Sequence, residues 1–392
     1  MTLTFPPHSS WLRWGGALLL AAAAVVAGCG GSVGVGGTGS YASAPIEGFG
    51  SVYVGGIKYD DSAASVVDED GAASSRDALR LGMTVEVEGG AIGGTEAEPT
   101  AVANRIRTVS EIVGPASAVD AAAGTLVVFD QTVVVDEYTV FDASFVDGLP
   151  GVPVGAAVEV FGGFDAAASR FVATRIAPRP GTLAAYKVRG PVNSLDTTAR
   201  TFRIGTALFS YDGVPPLLAE GAYLRVQAQT QTVAGRWPVR SIDAGVRPLP
   251  DLDRVKLRGA ITRYASEAEF DLNGQRVDAR TAQFVGRPGD LALGKTVVVD
   301  GASAGGVLIA SKVRLDERGG TQGSVTLQGS IESLDAAAQT FQLRGSTVEY
   351  GANGVQFDGG SASDLANGRA VTVRGNPTAG GTRITARRIS FN

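Results

Sequence analysis

The strongest constraint on the fold is an internal repeat with a period of about 70 residues. Each copy opens with a glycine that leads one strand, continues through an Asp or Ala turn, and enters a second strand. The clearest copies run over Gly114–Leu126, Gly190–Phe202 and Gly329–Phe341, with weaker ones starting at Gly48 and Gly259. A repeat at fixed spacing indicates one supersecondary unit used several times. We therefore expect five units, which begin near residues 48, 114, 190, 259 and 329.

A second landmark, Gly-x-x-Val-x-Val-x-Gly, closes each unit. It occurs over Gly82–Gly89, Gly155–Gly162, Gly294–Gly301 and Gly368–Gly375, and the third unit keeps only Gly221–Val226. The alternation of aliphatic and polar residues predicts a strand with one face in the core. About twenty residues later each unit ends in a further strand, in which a basic or polar residue precedes an aliphatic one, as in Arg175-Ile176.

The order of elements within a unit favours a small closed barrel. We expect five strands in each unit, with a turn between the first and second strands and a short helical turn between the third and fourth. The helical turn is indicated at Ser75–Leu81, Pro288–Leu293 and Ser363–Ala366, where Ser or Asp can cap one or two turns. The sequence thus predicts an all-β chain of tandem five-stranded barrels that resemble the oligonucleotide/oligosaccharide-binding (OB) barrel. A divergent small barrel and a continuous β-sandwich are the alternatives that the pattern leaves open.

The predicted domain organisation has seven parts. They are a signal peptide at 1–28, a lipidated Cys with a Gly/Ser-rich tether at 29–44, and barrel repeats at 45–108, 109–180, 183–246, 255–316 and 323–392. The tether reads GGSVGVGGTGSYASA from Gly30 to Ala44 and offers little apolar surface for folding. A flexible linker of this length would reach roughly 20 Å.

The repeats resemble a bacterial family, the domain of unknown function numbered 5666, which occurs in one or several copies in predicted secreted proteins and lipoproteins. The opening and closing signatures of that family are similar to Gly48–Ile57 and Leu81–Gly89. The resemblance covers most of the chain from Ile46 to Ile389 and is weakest in the third unit. It implies small β-domains and supplies no catalytic residues.

The amino-terminal segment has the layout of a secretory signal, with Arg13, an apolar run over Ala17–Ala27, and small residues before Cys29. The run is shorter than the roughly 20 residues of a transmembrane helix. Val26-Ala27-Gly28-Cys29 resembles a bacterial lipobox, which implies that Cys29 carries a diacylglycerol and an acyl chain such as palmitate. Gly30 occupies the position after Cys29, where an Asp would favour retention in the inner membrane. The expectation is a cell-envelope protein with a lipid anchor, in the outer membrane rather than the inner, on its periplasmic or outer face.

The composition excludes several kinds of chemistry. The only histidine, His8, lies in the leader, and the only cysteine is Cys29. A mature chain without imidazole or thiol has no Ser-His-Asp or Cys-His nucleophile, no His-ligated zinc and no disulfide. The net charge of −5 becomes −6 when Arg13 is removed, which disfavours nucleic acid as a partner. We expect no catalytic residues, no metal site and no cofactor.

A few residues are candidates for binding. Trp237, next to Pro238, is predicted to be a surface aromatic that could stack on a ligand, and Tyr223 is the second candidate. The acidic run Asp68–Gly71 could offer ligands to calcium but lacks the spacing of a calcium loop, so a solvated hairpin is expected. The recurring Asp at 120, 196 and 335 is predicted to hold a turn through its side chain.

Taken together, the sequence predicts a non-enzymatic envelope lipoprotein that acts as a binding or spacer module. An extended ligand, such as a glycan or a segment of an envelope protein, would suit a string of barrel faces. The alternative is a carbohydrate-active enzyme, because a glycosidase needs only a pair of Asp or Glu side chains.

Overall fold

The computed structural model describes residues 37–96, 98–287, 289–316, 325–352, 354–378 and 383–392. The predictions for the signal peptide, for Cys29 and for the tether up to residue 36 lie outside these residues. The described part of the chain is all-β and forms five small closed barrels. No helix in it has the length and apolar character needed to span a bilayer.

The barrels follow one another along the chain, and the strands are numbered in that order. Barrel 1 contains β1 (Gly37–Gly48), β2 (Val52–Val54), β3 (Ile57–Asp60), β4 (Ser65–Val67), β5 (Ala73–Ser74), β6 (Thr84–Gly89), β7 (Gly93–Gly94) and β8 (Pro99–Thr108). Barrel 2 contains β9 (Ile112–Asp120), β10 (Thr125–Val128), β11 (Gln131–Val134), β12 (Val140–Phe141), β13 (Ala157–Asp165) and β14 (Arg170–Pro178). Barrel 3 contains β15 (Tyr186–Asp196), β16 (Thr201–Ile204), β17 (Ala207–Ser210), β18 (Tyr223–Ala228) and β19 (Trp237–Ala244).

The last two barrels have the same plan. Barrel 4 contains β20 (Leu252–Ser266), β21 (Glu269–Leu272), β22 (Gln275–Asp278), β23 (Gln283–Val285), β24 (Thr296–Ala304) and β25 (Val307–Leu315). Barrel 5 contains β26 (Val325–Ser330), β27 (Glu332–Asp335), β28 (Thr340–Leu343), β29 (Ser346–Glu349), β30 (Gln356–Asp358), β31 (Ala370–Pro377) and β32 (Arg383–Phe391). Short 3-10 turns lie at Arg76–Ala78, Leu149–Gly151 and Ala362–Asp364.

Each barrel closes through the same strand pairing. In barrel 2, β9 pairs antiparallel with β10 and β13, β10 pairs with β11, β11 runs parallel to β14, and β14 returns to β13. When the five main strands of a barrel are numbered in chain order, the ring reads 1-2-3-5-4 and closes on strand 1. The other barrels have the same strand order. The prediction of five-stranded OB-like barrels is confirmed. The helical turn is present in barrels 1, 2 and 5, whereas the described residues of Pro288–Leu293 contain turns and no helix.

The last glycine of the closing landmark lies where the fourth strand breaks register against the fifth. The break falls directly before Gly162 in barrel 2 and before Gly301 in barrel 4. A Cβ on Gly162 would lie 2.0 Å from the carbonyl oxygen of Val172, and one on Gly301 would lie 2.1 Å from that of Ile309. The repeated glycine therefore marks a β-bulge where two backbones approach closely. Barrel 3 has Ala228 at its own break in register.

The recurring aspartates hold the turn between the first and second strands, as predicted. The Oδ1 atom of Asp196 accepts hydrogen bonds from the backbone N–H groups of Thr198 and Ala199, at 2.9 and 2.8 Å. Asp120 and Asp335 make the same pair of bonds two and three residues ahead. A side chain that caps backbone donors in this way explains the repetition by turn geometry.

The tether is shorter than predicted, because Gly37–Ala44 belongs to β1. This segment pairs with β6 on one side and with β20 on the other. Ser40, Ala42 and Ala44 are buried there although none is large. Small side chains are accommodated because neighbouring strands flank the segment on both sides, and local composition does not reveal that environment.

The barrels are joined by shared strand pairing and shared cores. Among the described residues, barrels 1, 4 and 5 form one 21-stranded sheet, and barrels 2 and 3 form an 11-stranded sheet. The first strand of barrel 1 runs parallel to that of barrel 4, and those of barrels 2 and 3 meet at Val113 and Lys187. One apolar cluster spans barrels 1 and 5, and another spans barrels 2 and 3. The barrels are therefore in direct contact, an arrangement that the sequence left open.

Candidate functional site

A cavity of about 450 Å³ lies where barrels 1, 2 and 3 meet. One wall is the loop of barrel 1 at 68–74. A second wall comes from Ser110, which links barrels 1 and 2, and from Glu159 on β13. The third wall comes from barrel 3 and the segment that leads into it, with Ala184, Tyr186, Lys187 and Gln227. We call this space the junction cavity; its volume falls within the range of about 300–1,000 Å³ typical of ligand sites.

The loop of barrel 1 is fixed to barrel 3 by buried ion pairs. Glu69 accepts hydrogen bonds from Lys187 through Oε1 and from Arg189 through Oε2, the latter at 2.6 Å. Next to it, Arg225 Nη1 lies 2.6 Å from Asp70 Oδ1 and 3.8 Å from Glu69 Oε2. Lys187 and Arg189 are only 7% and 8% exposed. We refer to Glu69, Lys187, Arg189 and Arg225 as the ion-pair cluster.

The charge state of Glu69 follows from these neighbours. Burial alone would raise the pKa of its carboxyl group, but the charges of Lys187, Arg189 and Arg225 and the hydrogen bond from Lys187 bring the pKa below its usual value. The carboxylate is therefore ionised in the folded protein. Because the folded-state pKa is lowered, its stabilising contribution is present above about pH 4.5 and is lost as the pH falls through the folded-state value.

The expectation of a solvated hairpin at Asp68–Gly71 is therefore wrong for Glu69. Asp68 does hold a tight turn, since its Oδ1 accepts from the N–H groups of Asp70 and Ala72 at 3.0 and 2.8 Å. That turn directs Glu69 towards barrel 3, where its carboxylate oxygens accept hydrogen bonds from Lys187 and Arg189. No group of three or more His, Cys, Asp or Glu that could hold a metal ion occurs in the described part of the chain.

A chain of polar contacts runs from the ion-pair cluster along the wall of the cavity. Lys187 Nζ donates to Ser110 Oγ at 2.7 Å, and Ser110 Oγ donates to Glu159 Oε1 at 2.6 Å. Arg179 Nη1 in turn donates to Glu159 Oε2 at 3.3 Å. Ser110 is 3% exposed, whereas the side chain of Arg179 is half-exposed. The wall thus presents donors and acceptors in alternation, each held by its neighbour.

Glu111 lies behind this wall, in the connection between barrels 1 and 2. It is 3% exposed, its carbonyl oxygen accepts from the N–H of Arg189, and its Oε2 lies 3.5 Å from the hydroxyl of Tyr223. Burial raises the pKa of Glu111 to about 7, although Arg189 and Lys187 act in the opposite direction and Glu69 adds to the rise. Glu111 thus titrates near neutral pH.

This pKa predicts a pH-dependent stability. Because the folded-state pKa of Glu111 is raised above its ordinary value of 4.5, the folded state keeps a proton that the unfolded chain releases. The free energy of unfolding should fall by about 3 kcal/mol between pH 4.5 and pH 7 and then level off. In the Glu111→Gln variant the decline should be smaller by this amount, which parallel urea titrations across that range would measure. The same decline in both proteins would contradict the assignment.

The two aromatic candidates are placed differently from the prediction. The expectation that Trp237 is a surface residue is wrong: it is 8% exposed and packs against Phe129 with ring centroids 4.7 Å apart. Its Nε1–H donates to Asp130 Oδ2 at 2.7 Å, which satisfies the indole. Tyr223 is half-buried, and its ring covers Gly245 and Gly274, where any Cβ would meet it. Neither ring offers an open stacking face.

Sequence reasoning missed Lys187, Ser110, Glu159 and Arg179. The available signal was the basic residue directly before the opening glycine of two units, at Arg189 and Arg258. Both arginines are buried and ion-paired, Arg189 with Glu69 and Arg258 with Asp316. A buried charge requires a partner, so these positions indicated contacts between units.

Comparison with known proteins shows that three segments of the chain are similar to one domain family, and it gives no function. Residues 113–177, 258–314 and 328–390 match the sequence profile of a domain of unknown function, DUF5666. The matches fall in barrels 2, 4 and 5 and cover a little under half of the chain, so three of the five barrels are similar to this domain. No curated protein matches the sequence. A solved structure, drosophila Unr CSD456, aligns with 54% of this chain and 98% of its own at 12% identity and a TM-score of 0.14, too low to carry an argument.

Proposed function

We propose that this protein is a lipid-anchored envelope protein that binds an extended ligand, a glycan or a protein segment, without catalysing a reaction. The observation that carries the proposal is the junction cavity, whose walls come from three barrels and from segments more than 100 residues apart in sequence. Ion pairs hold these walls in place before any ligand arrives. Such preorganisation lowers the ordering cost of binding.

The pattern of charges supports binding over catalysis. Acid–base hydrolysis of a glycosidic bond requires one carboxyl group kept protonated near neutral pH beside a second, ionised one. In the cavity wall Glu69 has a lowered pKa and is neutralised by Lys187 and Arg189. The carboxyl group of Glu111, whose pKa is about 7, lies behind the wall and accepts from the hydroxyl of Tyr223 at 3.5 Å. These carboxyl groups therefore suit a structural role.

The cavity is tested by filling it. Ala184 is exposed, lines the cavity and precedes β15, so Ala184→Trp should occupy the space without unfolding the chain. We expect this variant to retain at least tenfold less envelope polysaccharide or protein than the unaltered protein in pull-down experiments. Ala337→Trp, in an exposed turn of barrel 5, is the matched control and should bind as the unaltered protein does. Equal retention by both variants would contradict a binding role for the cavity.

The anchor is tested at Cys29. The lipobox resemblance of Val26–Cys29 supports diacylglycerol attachment to this thiol. We expect Cys29→Ser to abolish labelling by a fatty-acid analogue and to release the protein from sedimented membranes, because the acyl chains supply the membrane affinity at about 0.8 kcal/mol per buried methylene. Continued sedimentation of the unlabelled variant with membranes would contradict a lipid anchor.

A further inference from the structure

Lys187 has binding capacity that the fold does not use. An ammonium group has three N–H donors. Within the described residues its hydrogen-bond acceptors are Glu69 Oε1 and Ser110 Oγ, which leaves one donor at the wall of the junction cavity. Lys187 is 93% buried, and a donor left without a partner in such a site is costly. The group is therefore ready to bond an acceptor on a molecule inside the cavity.

Acceptors and further donors lie along the same wall. Within the described residues each carboxylate oxygen of Glu159 accepts one hydrogen bond, from Ser110 or from Arg179, and a carboxylate oxygen can accept two. Gln227 adds an amide that has both a donor and an acceptor. A hydroxyl group donates and accepts at once, so a row of hydroxyls can satisfy Lys187, Glu159 and Gln227 together.

The charge balance favours a neutral ligand. Four carboxylates line the cavity, at Asp68, Glu69, Asp70 and Glu159, against two basic side chains, Arg179 and Lys187. Glu69 and Glu159 compensate the charges of Lys187 and Arg179, so the spare N–H of Lys187 carries no uncompensated charge for a phosphate or a carboxylate. Arg189 and Arg225, which do not line the cavity, pair with Glu69 and Asp70, so the cavity has no excess positive charge that would attract an anionic ligand.

One aromatic side chain and the shape of the cavity point in the same direction. Tyr186 lines the cavity half-buried, and its ring is held edge-on by Phe129 at 5.5 Å and Trp237 at 5.8 Å. A fixed, partly exposed ring suits the apolar face of a sugar. The volume of 450 Å³ falls within the range of about 300–1,000 Å³ typical of small-molecule sites, which is more than an isolated ion needs.

We infer that the junction cavity binds a neutral, polyhydroxylated ligand, a glycan segment, through Lys187, Glu159 and Gln227, with Tyr186 against a sugar face. This inference rests on the proposed function and narrows it to one of the two ligand classes. A protein segment would instead need apolar recesses for its side chains, and the aliphatic lining of the cavity is mainly alanine.

The experiment compares ligand classes and variants on the purified full chain. Wild type is applied to an array of neutral and uronic-acid oligosaccharides and to an array of envelope peptides. We expect binding to neutral glycans, weakened about tenfold by Gln227→Ala, which removes a ligand contact, and by Arg179→Ala, which removes the donor that positions Glu159. Arg383→Ala is the matched control: it removes a strand-end arginine paired with Glu349 at 2.7 Å in barrel 5 and should not change binding. Circular dichroism verifies that each variant is folded.

The possible outcomes distinguish failure of the glycan inference from failure of the proposed binding function. Binding to peptides but not to glycans, lost in Ala184→Trp, would overturn the glycan class and leave the binding function intact. Preference for uronic-acid glycans would overturn neutrality. Binding to neither array would overturn both, and neutral-glycan binding unaffected by Gln227→Ala and Arg179→Ala would overturn the assignment of the site.

Discussion

Glu69→Gln is expected to lower the free energy of unfolding by about 3–5 kcal/mol, although it replaces a single loop residue of barrel 1. The change keeps the shape of the side chain and removes its charge. Lys187 and Arg189, at 7% and 8% exposure, then lose the carboxylate that compensates them. Leaving buried cations unpaired is what makes the loss large, and denaturant titration of the variant would measure it.

The matched control is Glu88→Gln in the same barrel. Glu88 lies 3.8 Å from Arg105, and both side chains are nearly half-exposed, so removing this pair should cost less than about 1 kcal/mol. Adding Lys187→Met to Glu69→Gln should recover part of the lost stability, because it removes one of the stranded cations. A loss from Glu69→Gln no larger than that from Glu88→Gln would show that the ion-pair cluster does not hold the barrels together.

The second large effect is expected at Trp237. Replacement by Ala should reduce the free energy of unfolding by about 3–5 kcal/mol, because the indole fills the core shared by barrels 2 and 3. Trp237→Phe keeps most of that volume and loses only the hydrogen bond to Asp130, so we expect a cost of about 2 kcal/mol. Urea titration followed by far-ultraviolet circular dichroism compares the two variants.

This pair of variants also distinguishes a core position of Trp237 from the surface position that the sequence predicts. If it were a surface platform, as its neighbour Pro238 indicates in the sequence, Trp237→Ala would leave stability nearly unchanged and remove ligand binding. Full stability together with lost glycan binding would therefore contradict the core position. Pro238 is the second residue of β19, at the start of the strand, where a missing N–H is tolerated.

The sequence predicts what repeats within each barrel. The glycine-led strand, the Asp turn and the closing landmark recur because each solves a local problem: a close backbone approach, a capped turn and a bulge. Local solutions of this kind leave a pattern at fixed spacing. The five-stranded OB-like fold follows from that pattern, and the structure confirms it.

What the sequence does not predict lies between the barrels. Glu69 meets Lys187 across 118 residues, and the contact occurs once, so no repeat reveals it. The first half of β1 escaped prediction for a similar reason, since Ser40 and Ala42 are buried by strands from barrels 1 and 4. Both features depend on how barrels pack together, which is set by surfaces distant in sequence.

The most direct test of joined barrels is amide hydrogen exchange in Glu69→Gln, with Glu88→Gln as the reference. If the ion-pair cluster couples barrel 1 to barrel 3, exchange should quicken both in the loop at 66–74 and in the first part of β15 at 186–190, which lies on the far side of the junction cavity. Faster exchange confined to the loop at 66–74, with 186–190 unchanged, would contradict the account of barrels held together around a shared binding cavity.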